Sequence, residues 1–433
     1  MRELEAKFPN ELVVIGVHSG KYHAERETAR IREASIRLGA AHPVLNDRQF
    51  RVWRAYAVNA WPTLAVVDPG GAALGRHAGE FTAEMMAPVV QRLVDAFAER
   101  GALNREPLHW APDEPAIAPG MLRYPGKVAV DGDRVAVADS GHHRVLLGGL
   151  EDGGRAMRVR HVVGGGKARG GERGFADGAP RAARFDYPQG MAFAEGALYV
   201  ADAGNHSVRE IDVSSGVVRT LAGTGRQLRR RSDVEAGAMA SPWDVAVVGE
   251  TLFVAMAGIH QLWAVERATG KARRHSGTFR EDIVDGPHGD AALAQPMGLA
   301  VDERAGRLYF VDAESSAVRW ADVDPSGAVG TVVGTGLFDF GDVDGRGDDV
   351  RMQHQQAIVQ TEDGRLLVAD SYNDALKWVD PATREATTWV RGLHEPAGLA
   401  LGGRYVYVAD TNAHRIALVD RESGGVDEMQ ILL

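Results

Sequence analysis

The chain has 433 residues, 45% of them hydrophobic and 25% charged, the mix of an ordinary globular protein long enough for two or more domains. Its net charge of −10 argues against a strongly basic body built to hold nucleic acid. It has no cysteine, which excludes disulfides, thiolate chemistry and cysteine-based metal sites. No run of 18 apolar residues occurs, and the opening residues Met1-Arg-Glu-Leu-Glu-Ala-Lys are charged. A cytoplasmic protein without membrane association is expected.

Leu4 and Phe8 lie four apart in a short helical stretch that Pro9-Asn10 ends. Residues 12–17 are a continuous apolar run, expected as a strand buried on both faces. Residues 24–38 predict a helix closed by Gly39. A short strand over 43–45 follows, and Asp47 is placed to cap a helix over 48–57. Residues 63–67 predict another strand, and the turn Asp68-Pro-Gly-Gly71 leads back into a hairpin over 72–77. Residues 81–99 predict an amphipathic helix, which Pro88 kinks or begins.

From its second element onward this order resembles the thioredoxin fold. Ala60-Trp-Pro-Thr-Leu64 followed by Asp68-Pro-Gly-Gly71 carries the likeness. The resemblance implies a cis peptide at Pro62 facing the family's active site. It also implies a redox pair at the start of the helix before residues 12–17. Here that helix begins in its middle at Met1, and the first strand and Cys-x-x-Cys turn are missing. The expectation is a multidomain chain opening on a truncated α/β thioredoxin-like domain, residues 1–100. Disulfide exchange needs two thiols, so this chain does not perform it.

Residues 101–123 contain Pro107, Pro112, Pro115 and Pro119 and read as a stiffened tether, with Trp110 docked on a neighbour. Residues 124–433 are repetitive. Pro125, Pro188, Pro242 and Pro396 stand 14 positions before Asp139, Asp202, Met256 and Asp410. Pro296 and His354 stand 16 before Asp312 and Asp370. Each unit opens on Pro-x-Gly-apolar-Ala and continues through four short strands. Six such units predict an all-β six-bladed propeller closed into a ring. The pattern Ala-Asp-x-x-Asn-His-Arg-Ile/Val, best kept at 138–145 and 409–416, resembles the NHL repeat. With the thioredoxin-like front it resembles the NHL-repeat-containing protein 2 family. Ser241-Pro-Trp-Asp-Val245, Ala255-Met-Ala-Gly258 and the stretch 334–345 add to that likeness. Relative to the family pattern, the chain reads as shortened at both ends.

His143, His206, His260 and His414 share one repeat position, and Asp139, Asp202, Asp312, Asp370 and Asp410 share another. Both sets are expected to bond within their own turns, not to hold metal or catalyse. The acids at 339–345 lack the spacing of a calcium loop. Residues just after each opening Pro are expected at the channel mouth as ligand contacts: Gln189, Trp243, Met297, Gln355 and Ala397. The loops between blades predict one electrically divided face. Its basic part holds Lys167, Arg169, Arg173, Arg181, Arg184, Arg226, Arg229, Arg230 and Arg231. Its acidic part holds Glu281, Asp282, Asp285, Asp290, Asp339, Asp342, Asp344, Asp348 and Asp349. The leading reading is a non-catalytic module that shows a propeller face to a protein or small anionic ligand, without cofactor. Alternatives are a thioredoxin-family oxidoreductase whose cysteines lie outside this chain, a metal-dependent propeller lyase or hydrolase, and RNA binding through 226–231.

Overall fold

The computed structural model describes every residue except 80, 107, 112, 119, 167–170, 230–232, 235 and 236. The chain divides into two compact units, Met1–Ala116 and Ile117–Leu433. The first unit runs α1 (Arg2–Lys7), β1 (Gly16–His18), α2 (Thr28–Leu38), β2 (Val44–Asn46), α3 (Arg51–Ala55), β3 (Thr63–Val67), β4 (Ala73–Ala78) and α4 (Ala83–Glu99). Leu4 and Phe8 are buried with Ala87, and Leu12, Phe81, Met86, Val90 and Val94 pack around them. β1 pairs in parallel with β2, and β3 pairs antiparallel with β4.

Several expectations change here. Of the run 12–17 only Gly16 and Val17 fall in a strand, Gly16–His18, and Val13 and Ile15 are 50% and 62% exposed. Burial on both faces needs covering layers and neighbours on either side. Among the described residues β1 has only β2 beside it. α4 begins at Ala83, where the Thr82 side chain accepts the Met85 N–H, so Pro88 lies inside the helix and does not start it. Asp47 does cap α3, accepting N–H bonds from Arg51, Val52 and Trp53 at 2.7, 3.1 and 2.9 Å. The Trp61–Pro62 peptide is cis. The tether is shorter than expected, because residues up to 116 belong to the first unit. Within it the Trp110 indole donates to the Ala41 carbonyl at 2.7 Å, and Arg105 pairs with Glu11.

The second unit is six antiparallel sheets in ring order, a six-bladed propeller. The innermost strands are Lys127–Asp131, Pro188–Ala194, Pro242–Val248, Pro296–Asp302, Ala357–Gln360 and Pro396–Gly402. Blades four and five carry an extra outer strand, Gly286–Pro287 and Gly345–Arg346. Gln430–Leu432 closes the ring from the far end of the chain. It adds in parallel to Ala156–Arg158 on the outer edge of blade one.

The core lies between blades, so a strand in mid-blade is apolar on both faces. In blade three Leu252 and Val254 face the cluster shared with blade two, while Phe253 and Ala255 face that shared with blade four. Fully burying each such side chain contributes about 1.5–3 kcal/mol. In blade five the register differs by one from the sequence reading. Ala357 pairs with Ala369 as Gly298 pairs with Val311, so Gln355, not His354, occupies the opening proline's place.

Candidate functional site

Each blade turns from its second to its third strand through a short 3-10 segment that ends on a left-handed residue. These are His143, His206, His260, Ser316, Asp374 and His414, with φ between 50° and 56°. The sequence reading expected these histidines to bond within their own turns, and the structure corrects it. They reach into the next blade. His143 Nδ1 accepts the Tyr187 N–H at 3.1 Å, and His206 Nδ1 accepts that of Ser241 at 3.0 Å. His414 Nδ1 accepts the Tyr124 N–H at 3.0 Å across the joint where the ring closes. Ser316 Oγ and Asp374 Oδ1 serve the same joint position with His354 and Glu395. Among the described residues His260 Nδ1 is buried without a partner. An imidazole nitrogen that accepts an N–H carries no proton there, so each of these bonds requires the neutral ring. Burial, and then Arg229, hold His206 below the ordinary histidine range.

The repeated aspartates are fully buried. One oxygen of each accepts a backbone N–H of the segment entering the same blade: Arg123 for Asp139, Asp186 for Asp202, Ala294 for Asp312, Gln353 for Asp370, His394 for Asp410. The other oxygen meets a cation that sequence reasoning missed. Arg144 and Arg415, five residues on, bond Asp139 and Asp410 at 2.7 and 2.9 Å. Arg209 and Arg319, seven residues on, bond Asp202 and Asp312 at 2.8 and 2.9 Å. Lys377 stands 3.9 Å from Asp370. The signal was present as a basic residue five or seven positions after the aspartate.

Arg209, Arg319 and Lys377 also engage the loop before their own blade, through Asp177, Asp285 and Asp344 at 2.6, 2.9 and 2.7 Å. Those three acids accept from a fourth-strand threonine as well: Thr220, Thr331 and Thr388. The divided face is corrected accordingly. Asp285, Asp342, Asp344 and Asp348 are counter-ions for Arg319, Lys377, Arg391 and Arg384. On the basic side Arg184 pairs with Glu172, and Arg229 bonds the Gln227 side chain. Arg173, Arg181 and Arg226 stay on the inter-blade loops, while Lys167, Arg169, Arg230 and Arg231 lie outside the described residues. Among the described residues no three His, Asp or Glu side chains are grouped to hold a metal ion.

The five channel-mouth candidates are also misplaced by the sequence reading. Gln189, Met297, Gln355 and Ala397 are at most 4% exposed. Gln189 Nε2 bonds Ser140 of blade one, and Gln355 Nε2 bonds the Ser316 carbonyl of blade four, so both sit in blade joints. Trp243 packs on the cluster shared by blades four and five.

The channel belongs to the residues that follow. A cavity of about 430 Å³ runs along the axis and takes its lining from all six innermost strands. Each of these strands is hydrogen-bonded on one side only, so its free edge of N–H and C=O groups faces the axis. The second residue after the opening position forms a ring: Lys127, Gly190, Asp244, Gly298, Ala357 and Gly398. Four are small because the blades meet there. A Cβ on Gly190 would lie 2.1 Å from Asp244, and one on Gly398 2.6 Å from the Lys127 backbone. The other two are charged and cross the axis. Lys127 Nζ donates to the Gln356 carbonyl at 2.6 Å and lies 3.5 Å from both Met297 O and Asp244 Oδ2. Asp244 also accepts the Val245 and Leu299 N–H groups at 2.9 and 3.0 Å. Burial pushes Lys127 down and Asp244 up, and each charge pulls the other back. Both stand where the repeat has glycine, the departure that could have revealed them.

An NHL repeat model matches residues 122–146 and 185–211. NHL repeat-containing protein 2 of Gallus gallus is 36% identical, over 100% of this chain and 65% of that protein. Protein SUPPRESSOR OF QUENCHING 1, chloroplastic, of Arabidopsis thaliana is 35% identical over 99% of this chain and 43% of its own length. This chain therefore spans less than two thirds of these relatives. One chain of a nidogen/laminin complex structure aligns with a TM-score of 0.46 and 14% identity, covering 70% of this chain and 92% of that one. With two of its repeats matched and its whole length similar to proteins named NHL repeat-containing protein 2, the chain belongs to the NHL-repeat family.

Proposed function

We propose that this chain is a non-catalytic binding module whose propeller takes a small charged molecule into its axial cavity. The observation that carries the proposal is the channel itself. It is bordered by six unpaired strand edges and ends on one lysine and one aspartate. The repeated aspartates serve the interior of each blade and the bridging histidines the joints, which leaves the axis as the place for recognition. A volume of about 430 Å³ suits a small molecule.

The first unit is read as thioredoxin-like from its element order and its β1–β2 and β3–β4 pairings. Without cysteine it has no thiol redox chemistry. Among the described residues no helix is long and apolar enough to cross a membrane. Cytoplasmic residence is part of the proposal, although one relative bears a chloroplastic name.

Thermal unfolding of the full chain against a panel of carboxylates, amines, zwitterions, sugars and nucleotides tests the reading. At least one compound should raise the midpoint by about 2 °C or more. The same compound should leave Gln360→Trp, altered at the cavity wall, unmoved. If no compound does so, the reading fails.

A further inference from the structure

Resting on that reading, we propose that the Lys127–Asp244 end of the cavity binds a small zwitterion of the α-amino-acid kind. Its carboxylate would meet Lys127 Nζ and its ammonium the Asp244 carboxylate. Three observations on the ring lead there.

The first is that the two charges are neighbours but not a tight pair. Their 3.5 Å separation exceeds the roughly 2.7–2.9 Å of a strong charge-assisted bond. An ammonium has three N–H donors, and Lys127 has one short bond, to Gln356 O, with its other two contacts at 3.5 Å. Asp244 Oδ1 accepts the Val245 N–H and keeps a lone pair, while Oδ2 accepts the Leu299 N–H and holds the long Lys127 contact that a ligand ammonium would displace. Both groups therefore have capacity for a ligand.

The second is that the charges sit side by side at one level of the channel, so their field is that of a dipole. A lone anion drawn to Lys127 also faces Asp244, and a lone cation at Asp244 faces Lys127. Only a ligand carrying both charges a few ångströms apart satisfies both without like-charge contact.

The third is that the ion pair stands at one end of the lining. Lys127 and Asp244 are the first residues of their strands to reach the cavity. At the other end of the lining Asp131 is exposed. A ligand enters past Asp131, and the free strand edges along the wall offer it both donors and acceptors.

The experiment is titration calorimetry of the full chain with L-alanine, acetate, methylammonium and glycine betaine, whose nitrogen has no N–H. L-Alanine should bind at least tenfold more tightly than each of the other three. Equal affinity for acetate or methylammonium overturns the proposal, and so does equal affinity for betaine or absence of L-alanine binding. The double variant Lys127→Met with Asp244→Asn removes both charges together and leaves no single buried ion. It should lose at least tenfold in L-alanine affinity, and unchanged affinity overturns the proposal. If that variant does not fold, the four-probe series on the unaltered protein decides. Should other compounds stabilise the chain through the cavity while L-alanine does not bind, the zwitterion assignment falls and the binding-module reading stands.

Discussion

Blades three and four are neighbours with the same four-stranded register and opposite interiors. Blade four buries Asp312 and Arg319 in contact, with Asp285 and two carbonyls as further partners of the two terminal guanidinium nitrogens. Blade three has Met256 where the aspartate stands and Trp263 where the arginine stands, both fully or nearly fully buried. The Trp263 indole bonds Gln261, which in turn bonds the Gly277 carbonyl. Met256 still pairs with Pro242 as Asp312 pairs with Pro296. The sheet therefore does not need the ions. What makes a blade is the apolar face on either side, and the buried charges of blade four must be paired if they are present at all.

The strongest way to break this comparison is Arg319→Met, which leaves Asp312 buried without its cation. It should lower stability in urea unfolding by about 3–5 kcal/mol. A loss below about 1 kcal/mol would mean that the two interiors are interchangeable.

Acid should sharpen the contrast at the joint between the same two blades. His275, on the last strand of blade three, bonds the Asp322 carbonyl of blade four at 2.9 Å. Its ring packs on Phe253 and lies 4.3 Å from the ring of His288. Burial pushes its pKa down to about 4 from 6.5. The folded protein thus disfavours the proton. Stability present above pH 6.5 is lost as the pH falls from 6.5 toward 4, by up to about 3 kcal/mol from this group. Asp202 and Asp370, raised by burial to about 7, act in the opposite sense, since the folded state welcomes their protons as the pH falls. The difference between the unaltered protein and His275→Asn, followed from pH 7 to pH 4, isolates the histidine. A constant difference would refute its role.

The smallest effect compares two histidines in one repeat position. His206 bridges to Ser241, whereas among the described residues His260 has no Nδ1 partner. Glycine at either position relieves a left-handed backbone equally. His206→Gly should therefore be about 1 kcal/mol less stable than His260→Gly, the worth of one hydrogen bond. Equal midpoints in urea would remove the bridge as a source of stability.

The six sheets were legible because each must bury two faces, and that writes apolar runs between turn residues at a steady interval. The repeated aspartates were legible as acceptors for the same reason. Their cations were not, because Arg209 and Arg319 sit on strands whose alternation suggests an exposed face. The histidines were placed in the correct turns and given the wrong partners, since a left-handed residue aims its side chain at chain distant in sequence. The channel candidates failed twice. Blade five was counted from His354 in place of Gln355, and the position after the proline points into a joint. The apolar run 12–17 reads the same whether or not other strands cover it.

By itself the sequence determined how many blades there are, which apolar runs build them, and that no thiol chemistry belongs to this chain. Those features are local or periodic, and period alone carries them. Only the tertiary structure decided that Lys127 and Asp244 meet across the axis, although 117 residues of chain separate them. The final strand's place on blade one was decided there too. Closing a ring brings the first blade against the last and aligns one position from every repeat, and no spacing along the chain encodes that approach.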